Sequence, residues 1–303
     1  MSIYQRLVIA ITLAITSSCI VSCTTVGLMK TDKDSRFLEN SLWIDEPIGP
    51  KTQAIVILLH GLNLKPGKMD GWANMLTAHG ALVMRFALFG HSGAEGQMAH
   101  VNETIWREQF AEAFVSAQKK AQALGVPIYF VGFSLGALVA LEWLAAHQEE
   151  YDPHIAKMVL IAPAIATPWY SRAAISMISW FGRSFTMPSR SPKHYRANSG
   201  TSVAAYQSLF AIKKSLEDLH FKNNNLPTLV LIDKYDELVP SESLKTIIEK
   251  HQLSHWILDI VDNRFAHDNY GFRHLMVDEE AVGKALWKEL SAKVVAHLGL
   301  SKS

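Results

Sequence analysis

The stretch from Val126 to Ala140, V-P-I-Y-F-V-G-F-S-L-G-A-L-V-A, constrains the fold more than any other part of the chain. Ile128 to Val131 is a short apolar run with the β-branched and aromatic content of a buried strand. Ala137 to Ala146 reads as a helix. Between them lies Gly132-Phe133-Ser134-Leu135-Gly136. A serine with glycine two residues before and after it, between a strand and a helix, predicts a turn too sharp for bulky neighbours. Such a turn lifts the serine Oγ clear of the sheet and sets it near the helix N-terminus, where it can serve as a nucleophile. A glycine-rich connection without chemistry uses the same letters, so the remainder of the chain must supply partners for Ser134.

Alternation of strand-like and helical patterns begins at residue 54. Ala54 to Leu59 is apolar throughout and ends in His60-Gly61-Leu62-Asn63. Trp72 to His79 reads as a helix and Ala81 to Leu88 as the next strand. Glu103 to Leu124 is a long amphipathic helix with Ile105, Trp106, Phe110, Ala113, Phe114 and Ala117 at helical spacing. Beyond the serine turn, Met158 to Ile161, Thr228 to Ile232 and Trp256 to Val261 read as strands, and Leu244 to Lys250 and Glu280 to Leu298 as helices. Strands separated by helices require parallel crossovers, and runs apolar throughout require a sheet covered on both faces. The expected class is α/β, a mostly parallel sheet with helices on both faces. With 49% apolar and 19% charged residues, the chain has enough apolar surface for a large core. A formal charge of +1, with no long block of one sign, argues against nucleic acid or another polyanion as partner.

One region breaks the rhythm. From Ile165 to Leu226 there is no strand candidate; Trp169-Tyr170, an apolar Ala173 to Phe181, a basic Pro/Ser stretch from Arg183 to Arg196 and a helical Val203 to Leu219 stand there instead. Leaving the sheet near the top of the serine turn, this insertion reads as a cap at about 165–226, with additional scaffold helices as the plainer alternative. Asn223-Asn224-Asn225 with Pro227 marks the return to the sheet.

A serine hydroxyl needs a base to take its proton, and a histidine base needs an acid to fix its tautomer and stabilise the imidazolium. Asp236 follows the strand ending at Ile232 and lies in a loop shaped by Pro240. Asp233, nearer the strand, fits a turn residue better. After Trp256 to Val261 come His267 and His274; the first is nearer the strand and is followed by the turn signal Asp268-Asn269. His255 stands at a strand start, a structural position. The thirteen histidines show no spacing that would ligate zinc, so no metal and no cofactor is expected.

The order of these features resembles the α/β-hydrolase superfamily, and within it the capped monoacylglycerol-lipase-like and serine-aminopeptidase-like hydrolases. The resemblance covers about residues 50 to 300 and rests on His60-Gly61, Gly132 to Gly136, the insertion, Asp236-Glu237-Leu238-Val239-Pro240 and a late histidine. It implies Ser134, Asp236 and His274 as catalytic residues, because D-x-x-V-P matches at Asp236 and His274-Leu275-Met276-Val277-Asp278 runs as the family's last histidine does. It also implies an oxyanion hole from the backbone N–H groups of Leu135 and Leu62, with His60 bracing the loop. Gly90-His91-Ser92-Gly93 resembles the family's G-H-G-x-S loop but has Ser92 where glycine is usual.

The first 22 residues stand apart from this pattern. Arg6 is the only charge before Lys30, and Leu7 to Ile15 form a short apolar core behind it. Ile20-Val21-Ser22-Cys23 resembles a bacterial lipobox, which implies cleavage before Cys23 and its acylation. Thr12, Thr16, Ser17 and Ser18 interrupt the run, which is shorter than the ~20 residues of a membrane span. A lipoprotein signal at 1–22 therefore fits better than plain secretion or a retained anchor. Cys19 and Cys23 are the only cysteines, so no disulfide and no thiol nucleophile is expected in the remainder. Residues 23–50 read as a tether leading into a hydrolase domain at 51–303. The same resemblance implies the outer membrane, facing the periplasm, because Thr24 and Thr25 stand after the cysteine where an aspartate would favour retention at the inner membrane.

The expected function is a serine hydrolase that cleaves carboxylic esters, lipase, esterase or lysophospholipase-like, through an acyl-enzyme. Its partners would be a small-molecule acyl ester, apolar in character, and a membrane reached through the lipid on Cys23. Two alternatives stand beside it: an aminopeptidase or amidase of the same fold, and a catalytically silent binding protein. The absence of Asp and Glu from Ile165 to Ser215 weighs against an aminopeptidase, which needs carboxylates to hold a substrate amine.

Overall fold

The computed structural model describes residues 42–44, 52–94, 96–147, 154–168 and 171–301, without the side chains of 172–174. The expected signal and Cys23 lie outside the described residues. Nine strands are described: β1 (Leu42–Ile44), β2 (Ala54–Leu59), β3 (Ala81–Phe86), β4 (Ile128–Phe133), β5 (Ile155–Ile161), β6 (Thr186–Pro188), β7 (Gly200–Ser202), β8 (Thr228–Asp233) and β9 (Trp256–Val261). Seven of them form one sheet in the order β1-β3-β2-β4-β5-β8-β9. Only β1 is antiparallel to its neighbour within it; every other pairing is parallel. This is the α/β-hydrolase fold.

Every residue of β2 and of β8 is buried, as unbroken apolar runs require when helices cover both faces. The helix Glu103–Leu124 begins at Asn102, whose side chain accepts the Ile105 N–H at 2.8 Å, and ends at Gly125 in the left-handed region. Its buried Phe110 and Phe114 meet Trp143 of the helix Leu135–His147, with ring centroids 5.4 and 4.7 Å apart. That second helix is buried from Leu135 to Ala145, because further helices pack on the side it turns away from the sheet. It nevertheless carries Glu142, buried and held by Arg107 at 2.7 Å and by the Ser215 hydroxyl at 2.6 Å. The pairing joins three helices, the third being Val203–Asp218 of the insertion.

Three local features depart from the sequence reading. β1 lies within the stretch read as tether; its three residues are too few for a periodic signal, and pairing with β3 gives it order. The region after Ile165 contains the antiparallel pair β6–β7, again three residues each. The terminal helix is two, Glu279–Val282 and Lys284–Leu298, separated by Gly283 at φ 77°.

The insertion is strapped to the sheet top. Asn63, at φ 54°, accepts the Asn198 N–H at 2.8 Å through Oδ1, and its carbonyl accepts the Ala197 N–H at 3.0 Å. Tyr195, fully buried, accepts the Lys65 N–H at its carbonyl and donates its hydroxyl to Asp278 at 2.7 Å. The loop after β2 is thereby fixed from above.

Candidate active site

Ser134 sits at φ 51°, a left-handed conformation that costs a non-glycine residue on the order of 1–3 kcal/mol. Backbone bonds hold it there: its N–H donates to Ile161 O at 2.9 Å, and its carbonyl accepts from Ala164 and Leu138 at 3.1 and 3.2 Å. The flanking glycines are required by contact. A Cβ on Gly132 would lie 2.9 Å from Ala137 N, and one on Gly136 would lie 2.7 Å from the carbonyl oxygens of both Leu59 and His60. A Cβ on Gly61 would meet the Phe133 ring at 2.6 Å and the Ser134 Cβ at 3.1 Å. A side chain at any of these glycines would have no room between the end of β2 and the serine turn. Leu135 opens its helix, and its N–H has no carbonyl one turn earlier to bond.

The structure brings Ser134, His274 and Asp236 together. His274 Nε2 lies 3.0 Å from Ser134 Oγ, and His274 Nδ1 lies 2.7 Å from Asp236 Oδ2. The carboxylate can only accept, so Nδ1 carries the proton, and Nε2 is left with a lone pair aimed at the serine hydroxyl. Asp236 Oδ1 accepts the N–H groups of Leu238 and Val239, both at 2.8 Å, which fixes the carboxylate at the head of its loop. The imidazole lies between Phe133 and Phe272, with centroids at 4.9 and 5.9 Å, and all three polar side chains are buried.

The competing residues lie elsewhere in the network. His267 is exposed and pairs with Asp268 at 3.0 Å. His255 bonds Asn225 at the foot of β9. Asp233 is fully buried, accepts the Tyr235 N–H at 2.6 Å and the Asn263 N–H, and so ties the ends of β8 and β9; burial pushes its carboxyl up. His60 receives the Leu88 N–H at Nε2, 3.0 Å, so its proton is on Nδ1, which donates to Gly61 O at 2.8 Å. Burial, reinforced by His91, holds its pKa well below the ordinary histidine value. His91, its ring 4.5 Å from His60, is lowered by burial to about 4. Ser92, by contrast, is exposed and bonds Gln97 at 2.6 Å.

Two positioning residues escaped the sequence reading. Glu237 accepts the Arg273 N–H on both oxygens at 3.0 Å and the His274 N–H at 3.2 Å. Asn263, fully buried, caps the helix Arg264–Tyr270 through the Ala266 N–H and donates to Leu275 O at 3.2 Å. That helix gives order to the long connection between Val261 and His274. Its signal was present, since an asparagine just past the end of a strand, here two residues after Val261, is a helix-start residue. Among the described residues no group of acids, histidines or cysteines could hold a metal ion.

Comparison with known proteins agrees with this architecture. A metagenome-derived structure from the lipolytic enzymes LipS and LipT superimposes with a TM-score of 0.65 at 17% identity, covering 86% of this chain and 97% of that one. A soluble variant of monoglyceride lipase from Saccharomyces cerevisiae gives 0.66 at 13% identity, over 85% and 91%. At these identities the likeness is one of fold. Phospholipase YtpA of Bacillus subtilis is 22% identical over 126 residues, 42% of this chain, and the match spans about half of that relative's length, 46%. Residues 50–268 match the serine aminopeptidase, S33 family. That match runs from just before β2 to beyond β9 and takes in the serine turn and the inserted region, so the chain belongs to the serine aminopeptidase S33 family.

Proposed function

We propose that the chain is a serine hydrolase that cleaves carboxylic esters through an acyl-enzyme. The observation that carries this reading is the hydrogen-bonded line from Ser134 Oγ to His274 Nε2 at 3.0 Å and from His274 Nδ1 to Asp236 at 2.7 Å. His274 takes the serine proton as Oγ attacks the ester carbonyl, and Asp236 stabilises the imidazolium. The negative charge on the carbonyl oxygen is received by the Leu62 and Leu135 N–H groups. Collapse expels the alcohol, which takes its proton from His274. Water, deprotonated by the same histidine, then attacks the acyl group and releases the acid.

The family's description also raises a peptide substrate. Cleaving an N-terminal residue requires a carboxylate near the site for the substrate ammonium, and residues 165–215 of the insertion carry neither Asp nor Glu. An apolar acyl ester of lipase, esterase or lysophospholipase type fits this composition better, in keeping with the lipolytic enzymes and the phospholipase to which the chain is similar. Turnover of a p-nitrophenyl ester series against aminoacyl p-nitroanilides tests the choice: esters should turn over and anilides should not. Preferential cleavage of the anilides would reverse the assignment.

The same reading places the protein at the bacterial envelope, lipid-anchored through Cys23 on the outer membrane, because residues 1–23 carry the lipobox pattern. Radiolabelled palmitate should be incorporated by the wild type and not by Cys23→Ala. Equal incorporation would remove the anchor.

A further inference from the structure

The bonds described for the backbone around the proposed base all run to side chains. Glu237 accepts the N–H groups of Arg273 and His274, Asn263 donates to Leu275 O, and Trp72 Nε1 donates to Met276 O at 3.2 Å. Residues 271–278 lie outside the described helices and strands. The place of the His274 ring therefore depends on what fixes its neighbours.

Arg273 is the neighbour with the longest reach. Its side chain, 12% exposed, runs to the ends of two strands. Nη1 lies 2.5 Å from Asp262 Oδ1, just past β9, and 3.7 Å from Oδ2 of Asp233, the last residue of β8. The guanidinium lies 5.0 Å from the centroid of the Tyr235 ring, in the loop that carries Asp236. Both carboxylates are held in turn. Arg264 Nε donates to the other oxygen of Asp262 at 2.7 Å, and Asp233 accepts the Tyr235 N–H at 2.6 Å. Arg273 also brings positive charge to the fully buried Asp233, offsetting part of the cost of that burial. A planar fork laid on an aromatic ring and bonded to a carboxylate has little freedom left, a geometry that lysine cannot reproduce.

We infer that Arg273 is a positioning residue for the proposed base: its side chain tethers the chain one residue before His274 to the ends of β8 and β9, and so sets the imidazole between Ser134 and Asp236. Its effect on turnover rests on the reading of His274 as the base. Its effect on where the ring lies does not.

The test compares Arg273→Met, which keeps an apolar stem without the fork, with Arg273→Lys, Asp262→Asn and the double variant Arg273→Met/Asp262→Asn, on p-nitrophenyl butyrate. Arg273→Met should lower kcat roughly ten- to thirtyfold with KM nearly unchanged, and Arg273→Lys should recover part of the loss. Asp262→Asn should lower kcat roughly threefold, and the double variant should be no worse than Arg273→Met, because both changes break one bond. Asp262 is exposed, so its variant carries the comparison if Arg273→Met unfolds. Proton NMR reads the ring without turnover. The His274 Nδ1–H, bonded to Asp236 at 2.7 Å, gives a downfield resonance that His274→Ala abolishes, and Arg273→Met should shift or broaden it. A wild type that cleaves no ester, with the resonance moved in Arg273→Met, would keep the tether and remove only the hydrolase reading. An unmoved resonance in Arg273→Met, or a double variant in which the two losses multiply, would overturn the inference.

Discussion

Removing the Glu237 carboxylate tests how the proposed base is held. Asp236 takes the ring of His274 and the next residue takes its backbone: Glu237 accepts the Arg273 N–H at 3.0 Å and the His274 N–H at 3.2 Å. Hydrogen bonds to a charged acceptor contribute about 1.5–3 kcal/mol each when buried. Glu237 is half-buried and serves two amides, so Glu237→Ala should destabilise the fold by about 1–2 kcal/mol. The effect on turnover should be larger than the effect on binding. His274 has to meet Ser134 Oγ at 3.0 Å, and a misplacement of about 1 Å can cost on the order of a hundredfold. Glu237→Ala should therefore lower kcat roughly ten- to a hundredfold with KM nearly unchanged. Glu237→Gln keeps a carbonyl oxygen for one amide and should fall in between. Steady-state hydrolysis of p-nitrophenyl butyrate, with urea unfolding in parallel, reads both quantities. An alanine variant with wild-type kcat, or a glutamine variant as impaired as alanine, would refute the positioning argument.

The histidines give two further predictions. His274→Ala should lower kcat by several orders of magnitude, whereas His267→Ala, at an exposed residue paired with Asp268, should cost at most about tenfold; the reverse pattern on one ester would move the base to residue 267. Burial lowers the pKa of both His60 and His91, the latter to about 4, while both return to near 6.5 when unfolded. The unfolded chain then takes up protons that the folded chain cannot, so stability is full above about pH 6.5 and falls toward pH 4, by up to about 1.4 kcal/mol per pH unit per histidine. Urea midpoints measured between about pH 8 and about pH 5 should decline on the acid side; a flat profile would mean that the two rings are protonated, or solvated, in the fold.

The strands that build the site were legible because burial on both faces writes a continuous apolar run, as in β2, β4 and β8. The serine turn was legible because contact forbids side chains at Gly132 and Gly136, and only glycine meets that demand. What escaped was order imposed from outside. β1, β6 and β7 are each three residues long and take their conformation from a partner strand. Glu237 lies within the Asp236 to Pro240 motif, yet its role depends on residues 36 and 37 positions away, which no local pattern encodes. Asp268-Asn269 looked like a turn, but Asn263 starts a helix that carries the chain through it to Gly271. Trp169 and Tyr170, prominent in the sequence, lie outside the described residues.

The central claim is that Ser134 is the nucleophile, raised on a strained turn and faced by His274. Reaction of the purified protein with a fluorophosphonate, followed by mass analysis of its peptides, tests it most directly. Ser134→Ala should fold normally, since an alanine adds nothing to the turn that the serine did not already place there. One phosphonyl group per chain is expected, on the peptide containing Ser134, and none in the Ser134→Ala variant at an unchanged circular dichroism spectrum. Equal labelling of wild type and variant, or an adduct on another serine, would contradict it.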